Sequence, residues 1–306
     1  MKKAIVTGAT GFVGSCLVKD LVSRGVDVYA VVRSEESDIK ALQQLHNVKI
    51  VICSLDKILS LPALVLDRDI EVFYHFAWEG TSGRDRDNID LQLRNVQATC
   101  NAVSVASDIG CLKFVNAGSI MEYEAIQYIP KDGTLPRMGN IYSIAKQTSD
   151  FMAKTLAVSL NLNYINTIIS NIYGDGEKSE RLINTTIKKF LKKEKTSFTH
   201  GEQLYDFIYI KDAARAFYLV GERGKPFTSY YIGNPKPHPL KDFIQRMRNV
   251  INKDIELSFG EVPFQGALLK YDEFDTNKLF EEFGFIQNIN FEQGIEKTVK
   301  WIQDNN

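Results

Sequence analysis

An α/β fold, a doubly wound parallel sheet with a smaller second lobe, is predicted by three features of the chain. Short apolar strand patterns alternate with helical ones through the first half, and the first strand runs straight into a glycine-rich turn and a helix. Toward the carboxyl end the alternation breaks down, and Pro235, Pro237, Pro239 and Pro263 fall among mixed short elements. With 306 residues, 44% apolar and 25% charged, the chain has an ordinary globular composition and can bury a large core. A net charge of -1 excludes a broad nucleic-acid surface or a polybasic membrane anchor, so any phosphate-bearing partner needs a local site. Cys16, Cys53, Cys100 and Cys111 have neither paired nor metal-ligand spacing, which points to reduced thiols, a cytoplasmic protein and no metal. The basic start Met1-Lys2-Lys3 is followed at once by Thr7 and Gly8, too short an apolar run for a signal peptide, and no stretch is long enough to span a bilayer.

In chain order, Lys3 to Thr7 reads as a short buried strand leading into Gly8-Ala9-Thr10-Gly11-Phe12-Val13-Gly14 and a helical pattern from Cys16 to Ser23. That order suits a Rossmann-type dinucleotide site: Gly8 for the tight turn, Gly11 for close approach of backbone N–H groups to a pyrophosphate, Gly14 for helix–strand packing. Thr10, Phe12 and Val13 complete the expected cradle. The next strand, Asp27 to Val32, ends in Arg33 and Ser34 where an acidic residue would favour an unphosphorylated ribose, so NADP(H) is expected, with NAD(H) as the alternative. Val48 to Ile52 is a strand, followed by Leu55, assigned to the cofactor, and a helix from Leu59 to Leu66. Ile70 to Phe76 is a strand whose carboxyl end brings Phe76, Ala77 and Trp78 to the edge where ligands bind in such sheets. A long helix, Ile89 to Ser107, carries Asn95; a strand, Leu112 to Asn116, leads to Ser119. On the helix Ile141 to Leu160 the apolar residues Ile144, Phe151, Met152, Leu156 and Leu160 suggest a packed side, and Tyr142 and Lys146 share a face one turn apart. A phenol with an unperturbed pKa of about 10 is a poor acid near neutrality, and an adjacent ammonium favours its ionised form.

With Gly8, Gly11, Gly14, Ser119, Tyr142 and Lys146 in this order, the chain resembles the short-chain dehydrogenase/reductase superfamily, and within it the extended branch of nucleotide-sugar epimerases and dehydratases. Further matching segments are Asn95-Val96-Gln97-Ala98-Thr99, Asn171-Ile172-Tyr173-Gly174, Asp206-Phe207-Ile208-Tyr209-Ile210 with Asp212, and Asp275-Thr276-Asn277-Lys278-Leu279. The resemblance implies that Tyr142 moves a proton at the reacting oxygen, Ser119 hydrogen-bonds that oxygen, and Lys146 and Asn95 belong to the cofactor site. It also implies a substrate region including Trp78, Asn171, Arg181 and His200. Residues 1–170 with 211–234 would bind the dinucleotide, 171–210 with 235–306 would form the discontinuous substrate lobe, and the helices Ile89 to Ser107 and Ile141 to Leu160 would pair in a homodimer. Two departures stand out. Ile120 and Met121 occupy the places of the acid–base pair of the dehydratases, and Ile168 and Tyr205 replace arginines that grip the substrate diphosphate, leaving Arg181, Lys188, Lys189 and His200 as candidates. The leading expectation is NADPH-dependent reduction of a 4-keto, 6-deoxy sugar on a nucleoside diphosphate. The alternatives are an NAD-dependent 4-epimerase, a reductase of a small carbonyl compound, and a non-catalytic dinucleotide sensor or scaffold.

Overall fold

Six strands, β1 (Lys3–Thr7), β2 (Asp27–Val32), β3 (Val48–Ile52), β4 (Val72–His75), β5 (Lys113–Ala117) and β6 (Asn163–Ile169), pair in parallel in the spatial order β3-β2-β1-β4-β5-β6. Ser229–Ile232 adds a seventh strand beyond β6. The computed structural model describes residues 1–127, 135–264 and 268–305, and its contacts separate into two units. The first comprises Met1–Ile169 and Ala214–Tyr231, the second Ser170–Ala213 and Ile232–Asn306.

In the first unit, near-continuous apolar runs such as Ala4-Ile5-Val6 and Phe73-Tyr74 form strands because helices cover both faces of the sheet. On one face Phe73, Phe114 and Tyr164 stack across three neighbouring strands at centroid distances of 5.4 and 5.9 Å. Against them pack the helices Ile89–Ile109 and Asn140–Ser159, which contact each other and bury Ala102, Ala106, Ala153 and Ala157. On the other, Tyr74 donates to the Phe217 carbonyl at 3.2 Å. Strand order reverses between β1 and β4, and a crevice opens at the carboxyl ends of such a switch point.

Two local expectations are corrected. The helix expected over Leu59 to Leu66 is a 3₁₀ turn, Leu55–Ser60, followed by one helical turn, Leu61–Leu64. Pro62 is tolerated only in a first turn and has no N–H to give, so the helix cannot extend back through it. Most of the apolar stripe expected to pack on the helix Asn140–Ser159 faces outward: Ile144, Phe151 and Met152 are 45, 58 and 52% exposed, while Leu156 does pack against the core. Its packed face is built from small and polar residues, because two long helices can approach closely only through side chains the size of alanine.

Among the described residues of the second unit are three small two-stranded pairings, Asn171–Tyr173 with Phe207–Tyr209, Leu204–Tyr205 with His238–Pro239, and Thr196–Phe198 with Leu257–Phe259. Tyr173, Phe207, Phe243 and Phe291 form its aromatic core, with Phe243 4.9 Å from both Phe207 and Phe291. The helix Phe291–Asp304 starts in a reciprocal cap between Asn290 and Gln293. Gly294 on it has no room for a side chain, since a Cβ would lie 2.0 Å from the Tyr173 hydroxyl oxygen. Among the described residues, no helix is long and apolar enough to cross a membrane.

Candidate active site

The turn after β1 is held open by its glycines. Gly8 has φ +68°, and a Cβ there would meet the Ala77 nitrogen at 2.8 Å, at the end of β4. A Cβ on Gly14 would lie 2.2 Å from the Gly8 carbonyl oxygen, so the helix Phe12–Ser23 sits directly on the turn. That helix begins at Gly11 with no side-chain cap and no acidic residue in its first turn. The helices beginning after Asn88 and Asn290, by contrast, are capped by those side chains. Uncapped N–H groups at the positive end of a helix dipole, approached without obstruction, suit an anion.

A cavity of about 220 Å³ opens beside this turn. Its walls are Thr7, Gly8, Thr10 and Gly11; Val31, Val32 and Arg33 at the end of β2; Cys53, Leu55 and Ile58; and Phe76, Ala77, Trp78 and Glu79 after β4. Of the residues expected to hold a dinucleotide, Gly8, Thr10, Gly11, Arg33, Leu55, Phe76 and Ala77 line this cavity, while Phe12, Val13 and Gly14 form the first turn of the adjoining helix. The turn, the apolar walls and the Arg33 guanidinium fit a dinucleotide's pyrophosphate, adenine and ribose. Arg33 has a side chain 70% exposed and meets Glu79 at 3.5 Å. Ser34 turns to Glu36 and Ser37, and Asn95 is buried behind the wall. The Asn95 amide donates to the Glu79 carbonyl at 2.8 Å and accepts from its N–H at 3.0 Å, fixing the segment after β4. His75 bridges Thr7 at 2.9 Å and Thr99 at 3.3 Å, and full burial holds its pKa down to about 3, so this strut stays neutral.

The catalytic candidates gather at the same edge of the sheet. Ser119 follows β5, and its Oγ accepts from the Met121 N–H at 3.2 Å. Tyr142 and Lys146, only 8 and 5% exposed, project from the first turns of Asn140–Ser159. Lys146 Nζ donates to the Ala117 carbonyl at 2.9 Å and lies 3.7 Å from the Trp78 ring centroid. The same indole stands nearly perpendicular to Tyr142 at 6.1 Å, so Trp78, expected at the substrate, joins the cavity wall to both Tyr142 and Lys146. The Arg86 guanidinium covers the face of Tyr142 at 4.4 Å.

Three residues of this site escaped the sequence reading. The Glu122 carboxylate accepts from the Ser119 N–H at 2.7 Å and from Asn166 Nδ2 at 3.1 Å, and Asn166 accepts from Asn116 at 3.0 Å. Gly118 leaves the room, since a Cβ there would lie 2.6 Å from Glu122. Burial pushes the Glu122 carboxyl well up, and burial pulls the Lys146 ammonium down, with attraction between the two groups opposing both. Glu124 accepts from Ser143 Oγ at 2.8 Å and meets Arg137 at 3.7 Å, tying the short helix Met121–Ile126 to the one carrying Tyr142. Arg86 is the third.

In the second unit, Asn171 and Arg181 line a small cavity of about 50 Å³ with Tyr205 and Phe207. His200 is not among its lining residues and packs against Gly260. Asp206 and Asp212 act as staples: Asp206 accepts from the Asn234 N–H and the Tyr271 hydroxyl, Asp212 from the N–H groups of Asn288 and Ile289.

Residues 4–233 match the model of the NAD dependent epimerase/dehydratase family. The chain belongs to this family. Curated relatives of this epimerase/dehydratase chain include the CDP-abequose synthase of Salmonella typhimurium, 26% identical over 97% of each chain. The dTDP-4-dehydro-6-deoxyglucose reductase of Escherichia coli is 25% identical over 98% of this chain and 97% of that protein. Among solved structures, the Bordetella bronchiseptica enzyme WbmF in complex with NADH superposes with a TM-score of 0.80 at 21% identity, covering 99% of this chain and 92% of that one. The Thermotoga maritima UDP-glucose 4-epimerase with UDP-glucose gives 0.78 at 19% identity, covering 99% of both chains. The family, NAD dependent by its description, thus agrees with the glycine turn and the cavity beside it.

Proposed function

We propose that this family member reduces a 4-keto, 6-deoxy sugar carried on a nucleoside diphosphate, with NADPH as reductant. When bound, the nicotinamide supplies the hydride for the keto carbon. Tyr142 gives its phenolic proton to the carbonyl oxygen, so that its O–H bond breaks as the alcohol O–H forms. Ser119 Oγ donates to the same oxygen as negative charge develops there, and Lys146 holds the nicotinamide ribose and steadies the phenolate left behind. Asn171 and Arg181, which line the small cavity of the second unit, are the residues we assign to the substrate.

The observation that carries this reading is the pairing of Tyr142 and Lys146 against Trp78 in the cavity wall, together with Arg33 at the end of β2. Dehydration is disfavoured because Ile120 and Met121 carry no acid, and the Glu122 carboxylate is committed to Ser119 N–H and Asn166. The names of the full-length relatives, a CDP-abequose synthase and a dTDP-4-dehydro-6-deoxyglucose reductase, support a keto-deoxy sugar. NAD-dependent 4-epimerisation is the second reading, favoured by the Glu79 carboxylate that already meets Arg33. Absorbance of the reduced cofactor, followed with a panel of keto-sugar nucleotides, should fall faster with NADPH than with NADH. NAD carried through purification, with no NADPH oxidation on any member of the panel, would replace the reductase by the epimerase.

The exposed Ile144, Phe151 and Met152, with Leu93 59% exposed on the neighbouring helix, also support a homodimer through these two helices. Light scattering at micromolar concentration should give twice the mass of 34.7 kDa, and a monomer rejects it.

A further inference from the structure

We propose that Arg86 is a positioning residue for the proton transfer: its guanidinium, laid on the face of Tyr142, supplies a positive charge that favours the phenolate. The inference rests on the reading of Tyr142 as proton donor. Three observations lead to it. The guanidinium carbon is 4.4 Å from the ring centroid, inside the roughly 6 Å over which a cation is attracted to an aromatic face. The Arg86 Nε is buried and has no hydrogen-bond partner among the described residues, so this edge of the guanidinium is not spent on a neighbouring carbonyl or carboxylate. The turn that carries Arg86, Gly83–Asp87, is pinned rather than loose. Gln92, 1% exposed, donates to the carbonyls of Asp85 and Gly80 at 3.0 Å each, and with its oxygen accepts from the Trp78 indole N–H at 2.9 Å. One buried amide therefore fixes both groups that flank the Tyr142 ring, the indole at its side and the turn bearing the cation on its face.

The two cations near Tyr142 differ in kind. Lys146 is enclosed and bound to the Ala117 carbonyl, and burial disfavours its charged form, whereas the Arg86 guanidinium is a planar, delocalised cation laid on the ring face. Arg86 thus adds a second positive charge, delivered to the face of the ring rather than from the helix that carries it. Other charged groups on elements packed around Tyr142 are Lys146, Asp150 and Lys154 on its own helix, Glu122 and Glu124 on Met121–Ile126, Arg84, Asp85 and Asp87 beside Arg86, and Asp90, Arg94 and Asp108 on Ile89–Ile109. All of them remain when Arg86 alone is changed.

The test is a spectroscopic titration of Tyr142 by tyrosinate difference absorbance, taken as the protein minus its Tyr142→Phe variant, repeated in Arg86→Met and Arg86→Lys backgrounds. Arg86→Met should raise the Tyr142 midpoint by about 1 unit or more, the effect of losing an opposite charge within 4–6 Å. Arg86→Lys should shift it less, since the charge is kept and the stacked plane lost. Reduction uses the protonated phenol, so kcat falls above that midpoint, and the alkaline limb of the kcat profile should move up by the same interval. Arg86→Gln reads the same shift if the Met variant folds poorly. An unmoved midpoint in a folded, NADPH-binding Arg86→Met protein overturns the proposal, and so does lost activity with an unmoved alkaline limb, which marks a structural role. Full turnover by Tyr142→Phe would instead overturn the proton-donor reading, while the titration would still report what Arg86 does to the phenol.

Discussion

Tyr142→Phe is expected to lower kcat by roughly two to four orders of magnitude, the range for removing a general acid, while leaving NADPH binding nearly unchanged. The asymmetry follows from what the ring and the hydroxyl each touch. Edge contact with Trp78 and face contact with Arg86 are made by the ring, and phenylalanine keeps both, so the packing around the site should survive. The cavity for the dinucleotide is walled by the glycine turn, the end of β2 and the segment after β4, none of which depends on the hydroxyl. What the variant removes is the hydroxyl that carries the proton. Steady-state kcat with a keto-sugar nucleotide and quenching of NADPH fluorescence on binding separate the two effects. Turnover within tenfold of the parent would show that another group delivers the proton, and the buried Glu122 and Lys146 would then be the first candidates. Melting temperature should change little, because the variant removes one oxygen and leaves no ring-sized cavity.

The sheet was legible in the sequence because its strands are buried on both faces, and such strands cannot hide: Ala4-Ile5-Val6 and Val72 to His75 leave few polar residues to blur the pattern. The glycine turn was legible for a related reason, since close backbone approach forbids side chains at Gly8 and Gly14. The helix Asn140–Ser159 is legible in the sequence, but of its apolar stripe Leu156 packs against the core while Ile144, Phe151 and Met152 do not. Apolar residues are a guide to the core only where large side chains fit, and here alanine and serine occupy the contact while Phe151 and Met152 are exposed. Glu122 and Glu124 were invisible for a third reason. Acids on a short helix look like a solvated face, and only the fold shows that Ser119 N–H, Asn166 and Ser143 wait for them. Arg86 lies in a charged run, Arg84-Asp85-Arg86-Asp87, in which nothing local separates the residue on Tyr142 from its neighbours.

The buried Glu122 carboxyl also explains why Ser119 holds its place. A main-chain N–H that donates to a fully enclosed carboxyl oxygen is fixed more firmly than one facing water, because in the low-dielectric interior neither partner has a substitute. The Ser119 loop, Lys146 and the ring of Tyr142 are each fastened from behind, by Glu122, by the Ala117 carbonyl, and by Trp78 with Arg86. Preorganised groups of this kind need not rearrange as charge develops on the substrate oxygen.

Gly14→Ala should remove cofactor binding and destabilise the protein together, and the comparison with Gly25→Ala separates these consequences. A Cβ on Gly14 would lie 2.2 Å from the Gly8 carbonyl oxygen and 3.0 Å from its carbon. Both are backbone atoms, so the clash cannot be relieved by a rotamer change: the helix Phe12–Ser23 must lift off the turn, or the turn must move into the cavity. Overpacking of this sort costs about 1–3 kcal/mol. Gly25 lies at φ +78° with nothing within 4 Å of its added Cβ, so alanine there meets only backbone strain, about 1–2 kcal/mol. The two variants should thus melt at comparably reduced temperatures. At a hundred times its Kd a cofactor stabilises the folded state by about 2.7 kcal/mol, which thermal melts with and without NADPH resolve. Gly25→Ala should keep that increment and Gly14→Ala should lose it. If Gly14→Ala is stabilised by NADPH as the parent is, the helix N-terminus does not seat the pyrophosphate, and the cofactor must enter the crevice some other way.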